Sequence, residues 1–173
     1  MSFQSAFLPR GILDLLRAND GHIDNRITIQ KCAYLLQRKG APDFATAEFA
    51  YHHYGPYSRD VSEALQELVA TGLIDEHQAS HEKYVQYSYN LTEGGKRWLA
   101  AHEVDGASSF DSLYRKLATT PWRTLELATT IWFLQQEKIA RDFSSAVKQA
   151  LDLKPECQQY KSDAEQLLCA LNS

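Results

Sequence analysis

The chain has 173 residues, of which 44% are hydrophobic and 23% are charged, the balance of an ordinary folded domain. Its net charge of -4 excludes binding of nucleic acid through overall charge, so such binding needs a local patch. No apolar run reaches the roughly 20 residues that cross a bilayer, and the start resembles no signal peptide. We therefore expect a cytoplasmic protein without membrane contact, and its three widely spaced cysteines predict neither disulfides nor a structural metal.

Two helices are predicted before residue 41. Apolar residues spaced by three and four indicate a helix over Leu8 to Ala18. A second helix should begin at Asp24 or Asn25, which can cap it, and run to Lys39 before Gly40. Its predicted buried side comprises Ile29, Cys32, Ala33, Leu35 and Leu36, and its predicted exposed side presents Lys31, Tyr34 and Arg38, with Gln30 and Gln37 alongside.

An aromatic run follows this pair of helices. Glu48 to Tyr54 is predicted to be a strand, and Gly55-Pro56 is predicted to form the turn after it. Ser58 should cap the next helix. That helix has the clearest apolar stripe in the chain, formed by Val61, Ala64, Leu65, Leu68 and Val69.

Two antiparallel strands are predicted next. They are Leu73-Ile74 and Val85 to Leu91, with Asp75 to Tyr84 as the exposed tip between them. Thr92 should cap a further helix that carries Trp98 and Leu99 inward. The order helix, strand, charged tip, strand, helix is typical of a winged-helix module.

The C-terminal part is predicted to be helical after a linker over Val104 to Ser109. Its helices are expected over Phe110 to Leu117, from Thr120-Pro121 onward, near Phe143 to Leu151, and from Ser162, where Glu165 completes a capping box. The helix after Pro121 is apolar on almost all sides and should be buried. The predicted fold is mainly α with a small β wing. A winged-helix-like body over residues 1–103 carries the packed C-terminal helices of residues 104–173, in one compact domain.

Several segments resemble the YwgA-like bacterial proteins and the related Panacea or SocA-type antitoxin domain. The matching segments are Ile29 to Leu36, Tyr54 to Ser58, Gly72 to Ile74, Tyr89 to Gly95, Leu125 to Ile131 and Lys154-Pro155. The resemblance implies a compact, mainly helical prokaryotic protein with a small wing and no catalytic residues, of the kind found in regulators, antitoxins and mobile elements. Because antitoxins neutralise partner proteins, the resemblance does not decide between DNA and protein as the ligand.

The second helix supplies the first candidate site, Lys31, Tyr34, Arg38 and Lys39, joined by Lys83 and Tyr84 of the strand tip. Cations beside a planar ring suit phosphates and acidic protein surfaces alike. The alternative is an ordinary solvated helix face. The helix before the wing is acidic, which argues against groove reading by that helix. Residues 26–39 carry +4 and residues 59–76 carry -4, so pairing of two copies as a homodimer is a further hypothesis.

The second candidate site comprises His52, Tyr54, Tyr57 and Arg59, which we interpret as a partner-binding set. Packing of these aromatics at the strand-helix junction is the favoured alternative. In a strand His52 and His53 would point to opposite faces, so no metal is expected there. Spacing alone does not make His77 and His81 a zinc site.

The sequence thus predicts a non-enzymatic regulatory protein, because it contains no phosphate loop, nucleophile elbow or catalytic pair. DNA binding in a prokaryotic regulatory, mobile-element or defence context is the leading hypothesis. A protein-interaction module of antitoxin or adaptor type is the alternative. Neither a cofactor nor a small-molecule substrate is indicated.

Overall fold

A computed structural model describes residues 7–53, 55–103 and 109–172. In chain order the helices are α1 Phe7–Ala18, α2 Arg26–Arg38, α3 Arg59–Ala70, α4 Glu93–Ala101, α5 Asp111–Ala118, α6 Trp122–Gln136, α7 Phe143–Leu153 and α8 Lys161–Asn172. The strands are β1 His22–Asp24, β2 Ala50–His52, β3 Gly55–Tyr57, β4 Ile74–Ser80 and β5 Val85–Leu91. Short 3-10 helices cover Pro42–Phe44 and Pro155–Tyr160. The prediction of a mainly helical fold with a small antiparallel sheet is confirmed.

The strands form two antiparallel sheets. The larger sheet has the order β1-β5-β4, with Ile23 opposite Tyr89 and Ile74 opposite Leu91. The smaller sheet is the β2-β3 hairpin, with His52 opposite Gly55. Strand β1, which sequence analysis did not predict, follows the turn at Gly21 and is paired by β5.

Predicted capping residues begin three helices. The Asn25 side chain accepts the Thr28 amide hydrogen, Ser58 accepts that of Val61, and Thr92 accepts that of Gly95. Each bond satisfies an amide that has no partner within its helix. These helix starts are confirmed, and of the predicted stripe of α3 Val61, Ala64, Leu65 and Leu68 are buried, while Val69 is partly buried.

Three predicted boundaries are wrong. Gly55 and Pro56 lie in β3 instead of forming a turn, because they pair with His52 and Tyr51. The tip of the β4-β5 pair is shorter than predicted, because cross-strand pairing extends to Ser80 and Val85. Ser162 lies inside α8 and does not cap it, because the 3-10 helix before it runs directly into α8. Most of the predicted linker, residues 104–108, lies outside the described residues.

Helix α6 lies at the centre of the molecule. It packs against α2 and β3 on the N-terminal side and against α7 and α8 on the C-terminal side. Every residue from Thr124 to Leu134 is buried, which confirms the predicted burial of this helix. Among the described residues, none of the helices has the length and apolar character that crossing a membrane requires.

Candidate functional site

The β2-β3 hairpin is held to α2 by two consecutive side chains. The Gln30 amide donates to the Ser58 carbonyl at 2.8 Å and accepts the Ser58 amide hydrogen at 2.8 Å. The Lys31 Nζ donates to the Pro56 carbonyl at 2.7 Å. Successive backbone groups after Gly55 are therefore bound by side chains of one helix.

A second lysine holds the other side of the hairpin. Lys154, which follows α7, donates from Nζ to the His53 carbonyl at 3.0 Å and to Glu126 Oε1 in α6 at 2.9 Å. Arg123 donates to Glu126 Oε2 at 2.9 Å and lies 3.6 Å from Glu156. We call Lys31, Arg123, Glu126 and Lys154 the anchor cluster. It connects the hairpin to α2, α6 and the segment after α7.

The anchor cluster is largely removed from water. Lys31, Lys154 and Glu126 are 2%, 3% and 0% exposed. Charges in such surroundings need partners, because the lost hydration costs several kcal/mol per ion. Burial, assisted by repulsion from Lys154 and opposed by Glu126, lowers the pKa of Lys31 to about 7. The pKa of Lys31 therefore lies much closer to neutrality than that of an ordinary lysine.

Gly55 allows the hairpin to approach α6 closely. Its φ is +91°, and a Cβ at this position would lie 2.9 Å from Thr130 Oγ1 and 3.8 Å from Lys31 Nζ. Thr130 itself donates to the Glu126 carbonyl at 2.8 Å. A side chain at position 55 would thus displace the hairpin from the anchor cluster.

The hairpin nevertheless exposes most of its own rings. We call Tyr51, His52, His53 and Tyr57 the hairpin surface. The His52 ring centroid lies 4.9 Å from that of His53 and 5.4 Å from that of Tyr57. The Tyr51 ring centroid lies 5.5 Å from that of Phe133. Tyr51 and Tyr57 nevertheless remain 42% and 37% exposed. His52, His53 and Tyr57 thus form one exposed cluster of rings on a firmly held backbone, and Tyr51 packs beside Phe133 instead.

A small cavity adjoins the hairpin surface at Tyr57. It measures about 110 Å³ and is lined by Arg26, Ile29, Gln30, Tyr57, Val61, Ser62 and Leu65. Its walls combine buried aliphatic groups with the Arg26 side chain, which pairs with Glu76 at 3.2 Å. The cavity is well below the roughly 300 Å³ at which ligand-binding cavities begin.

The prediction that the basic face of α2 is exposed is wrong for Lys31 and Tyr34. Lys31 belongs to the buried anchor cluster, and Tyr34 is buried against the rings of Phe49 and Phe133. The predicted exposed side of α2 is covered because α6 packs on this helix. A helix between two packed layers is buried on both sides, whatever its periodicity predicts.

Arg38 and Lys39 are exposed, and both contact other parts of the chain. The Arg38 guanidinium lies 5.1 Å from the Tyr34 ring centroid and 4.0 Å from Glu137. Lys39 Nζ donates to the Leu171 carbonyl. The structure places Lys83 and Tyr84 elsewhere, at the exposed tip of the β4-β5 pair, where Tyr84 stacks on His81. The six predicted residues do not form one surface.

The predicted partner-binding set is partly assembled. His52 and Tyr57 are in ring contact, and exposed Arg59 pairs with Glu63 at 2.7 Å. Tyr54 lies outside the described residues. The expectation that His52 and His53 face apart is wrong, because β2 ends at His52. Over residues 7–53, 55–103 and 109–172, no group of three or more His, Cys, Asp or Glu side chains is placed to hold a metal.

Sequence analysis did not identify Glu126 or Lys154 as charged partners. One signal was present, since Glu126 is a lone carboxylate within an otherwise apolar or hydroxyl-bearing stretch of α6. A carboxylate inside a fully buried helix requires a cation nearby. The position of that cation is set by the tertiary fold, since Lys154 is 28 residues further along the chain.

Comparison with curated proteins finds one informative relative. The chain is similar to YwgA. This is the "Uncharacterized protein YwgA" of Bacillus subtilis (strain 168), and the two are 29% identical over 136 residues. The aligned region covers 76% of this chain and 80% of YwgA, which supports the YwgA-like resemblance. No protein-family model matches the chain, and the relation to the Panacea or SocA-type domain stays a prediction.

Proposed function

We propose that this protein is a non-enzymatic regulatory protein with a winged-helix-like body that binds another protein through the hairpin surface. The winged-helix-like assignment is supported by the order α1, β1, α2, α3, β4, β5 and by the sheet order β1-β5-β4. In this arrangement the β4-β5 pair is the wing, and the β2-β3 hairpin is an addition between α2 and α3.

The observation that carries the proposal is the contrast between the hairpin's backbone and its side chains. Lys31 and Lys154 are buried and bind the carbonyls of Pro56 and His53, while Tyr51 and Tyr57 remain exposed. Tyrosines are enriched among the residues that dominate protein interfaces. A backbone that is already held in place loses little further freedom on binding, which favours affinity.

The charge distribution also favours a protein over DNA. In a winged-helix arrangement α3 precedes the wing, and its exposed residues include Glu63 and Glu67. Carboxylates at this position repel phosphates. The basic residues of α2 cannot compensate, because Lys31 is buried and Arg38 lies beside Glu137.

The partner proposal is tested by co-purification from the native host after nuclease treatment. Three tagged baits are compared: wild type, the double variant His52→Ser/Tyr57→Ser, and Tyr84→Ser as a control at an exposed tyrosine outside the hairpin. We expect a stoichiometric protein partner with wild type and Tyr84→Ser and its loss with the double variant. A partner that binds the double variant equally well, or recovery of DNA alone, contradicts the proposal.

DNA binding through the wing is the second proposal, and the exposed Lys83 and Tyr84 at its tip support it. The protein is titrated with random-sequence duplex DNA at two salt concentrations, with light scattering after size exclusion to determine whether it is a homodimer. Binding that weakens with salt and is lost in Lys83→Glu supports this proposal. Absence of binding at low salt refutes it.

A further inference from the structure

We propose that the stability of the hairpin's attachment to the anchor cluster depends on pH. The attachment is more stable when Lys31 is neutral. The inference rests on the proposed function in one respect, since the hairpin whose attachment depends on pH carries the surface that we assign to partner binding. The anchor contacts themselves do not depend on that assignment.

The charge balance of the cluster leads to this inference. Lys31 and Lys154 are both buried, and one buried carboxylate, that of Glu126, acts on both. Its Oε1 binds Lys154, and its Oε2 binds Arg123 and lies 3.8 Å from Cys157 Sγ. Lys31 instead donates to a neutral carbonyl, that of Pro56. A proton on Lys31 therefore leaves excess positive charge in surroundings that hydrate it poorly.

Each element around Lys31 contributes to this balance. Helix α6 places Glu126, the hydroxyl of Thr130 and, further out, Arg123 nearby, and the segment after α7 contributes Lys154 and Glu156, which pairs with Arg123. On the hairpin, the imidazoles of His52 and His53 are ionisable but exposed. The lowered pKa of Lys31, about 7, agrees with the geometry.

The direction of the effect follows from proton linkage. When the hairpin opens and Lys31 reaches water, its pKa returns to about 10.4. Between pH 7 and this value the open form binds one proton more than the closed form. The closed form is therefore favoured as pH rises through this window, by up to about tenfold per pH unit. Below pH 7 both forms carry the proton, and the dependence ends.

Amide hydrogen exchange of the free, full-length protein tests the inference at pH 7.0, 7.75 and 8.5. Protection of a peptide over residues 50–57 is corrected for the pH dependence of intrinsic exchange. In wild type we expect this protection to rise several-fold or more across the series. Constant protection in wild type overturns the inference, and this readout requires no variant to fold.

Variants assign the effect to Lys31. Lys31→Met should remove the pH dependence, whereas Lys148→Met, at an exposed lysine of α7, should keep it. If Lys31→Met does not fold, Glu126→Gln provides the second test, since loss of the carboxylate should lower hairpin protection at every pH. The double variant His52→Asn/His53→Asn should behave as wild type. Loss of the dependence in this double variant assigns it to the imidazoles and overturns the inference.

The two proposals can fail separately. Exchange is measured without a partner, so a hairpin that responds to pH but binds nothing refutes the proposed function alone. A partner that binds the hairpin surface equally at pH 7.0 and 8.5, with constant hairpin protection, refutes the regulation alone.

Discussion

Gly55 is the residue on which the contact between the hairpin and α6 depends most directly. Its backbone is left-handed, and its Cα hydrogen faces Thr130 where a side chain would collide. Gly40 has a similar φ of +83°, but a Cβ there would meet no atom within 4 Å. Substitutions at the two glycines therefore distinguish the cost of backbone strain from the cost of close contact with α6.

We predict that Gly55→Ala destabilises the protein more than Gly40→Ala does. Left-handed strain alone costs roughly 1–2 kcal/mol for alanine, which is the expected loss at position 40. At position 55 the collision with Thr130 should add about 1–3 kcal/mol. Urea unfolding of the two variants measures both losses, and equal losses would show that the hairpin can move away from α6 without cost.

At the scale of elements, the start of α2 combines a cap with an unusual backbone. Asn25 has a φ of 57°, its side chain accepts hydrogen bonds from the backbone and hydroxyl of Thr28, and its amide donates to the Tyr87 carbonyl. Its ψ of 151° lies outside the left-handed helical region, so this residue stores backbone strain that only glycine would avoid. The cap thus links α2 to strand β5.

We predict that Asn25→Ala is more destabilising than Asn25→Gly. Glycine loses the cap, at a cost of a few tenths of a kcal/mol, but adopts this backbone without strain. Alanine loses the cap, at a cost of about 1 kcal/mol, and retains the strain. Thermal unfolding of both variants measures the difference, and a lower midpoint for the glycine variant would disprove this account.

At the scale of the whole molecule, α6 joins two regions that the sequence separates. It contacts α2 and β3 from one region and α7 and α8 from the other. Its buried residues therefore lose partners if either region unfolds. One compact domain stays a prediction, and this shared helix gives it a physical basis.

We predict that both regions unfold in a single transition. Trp98 in α4 and Trp132 in α6 can be followed separately in double variants that replace the other tryptophans by phenylalanine. The urea midpoints from the two fluorescence signals and from circular dichroism should coincide. A midpoint at lower urea for Trp132 would indicate that the C-terminal helices unfold independently. Unfolding of the wild type, followed by circular dichroism, shows whether the tryptophan substitutions change the midpoint.

The features that could be predicted from sequence are those whose causes lie within a few residues. Asn25, Ser58 and Thr92 cap helices by bonds to residues three positions ahead. The composition of Gly55-Pro56 predicts a turn, but its pairing with β2 is a property of the whole hairpin. Sequence predicts part of the hairpin surface, but not the lysines that hold its backbone.

The sequence by itself determined the helices, most of their ends and the burial of α6, because local hydrogen bonds and hydrophobic periodicity encode them. Only the tertiary structure decided that the side chains of Lys31 and Tyr34 are buried in the protein interior. Their surroundings are formed by Glu126, Phe133 and Lys154, which lie about a hundred residues away in the chain. Periodicity shows which side of a helix is apolar, but a polar side becomes buried when a distant segment supplies its charged and aromatic partners.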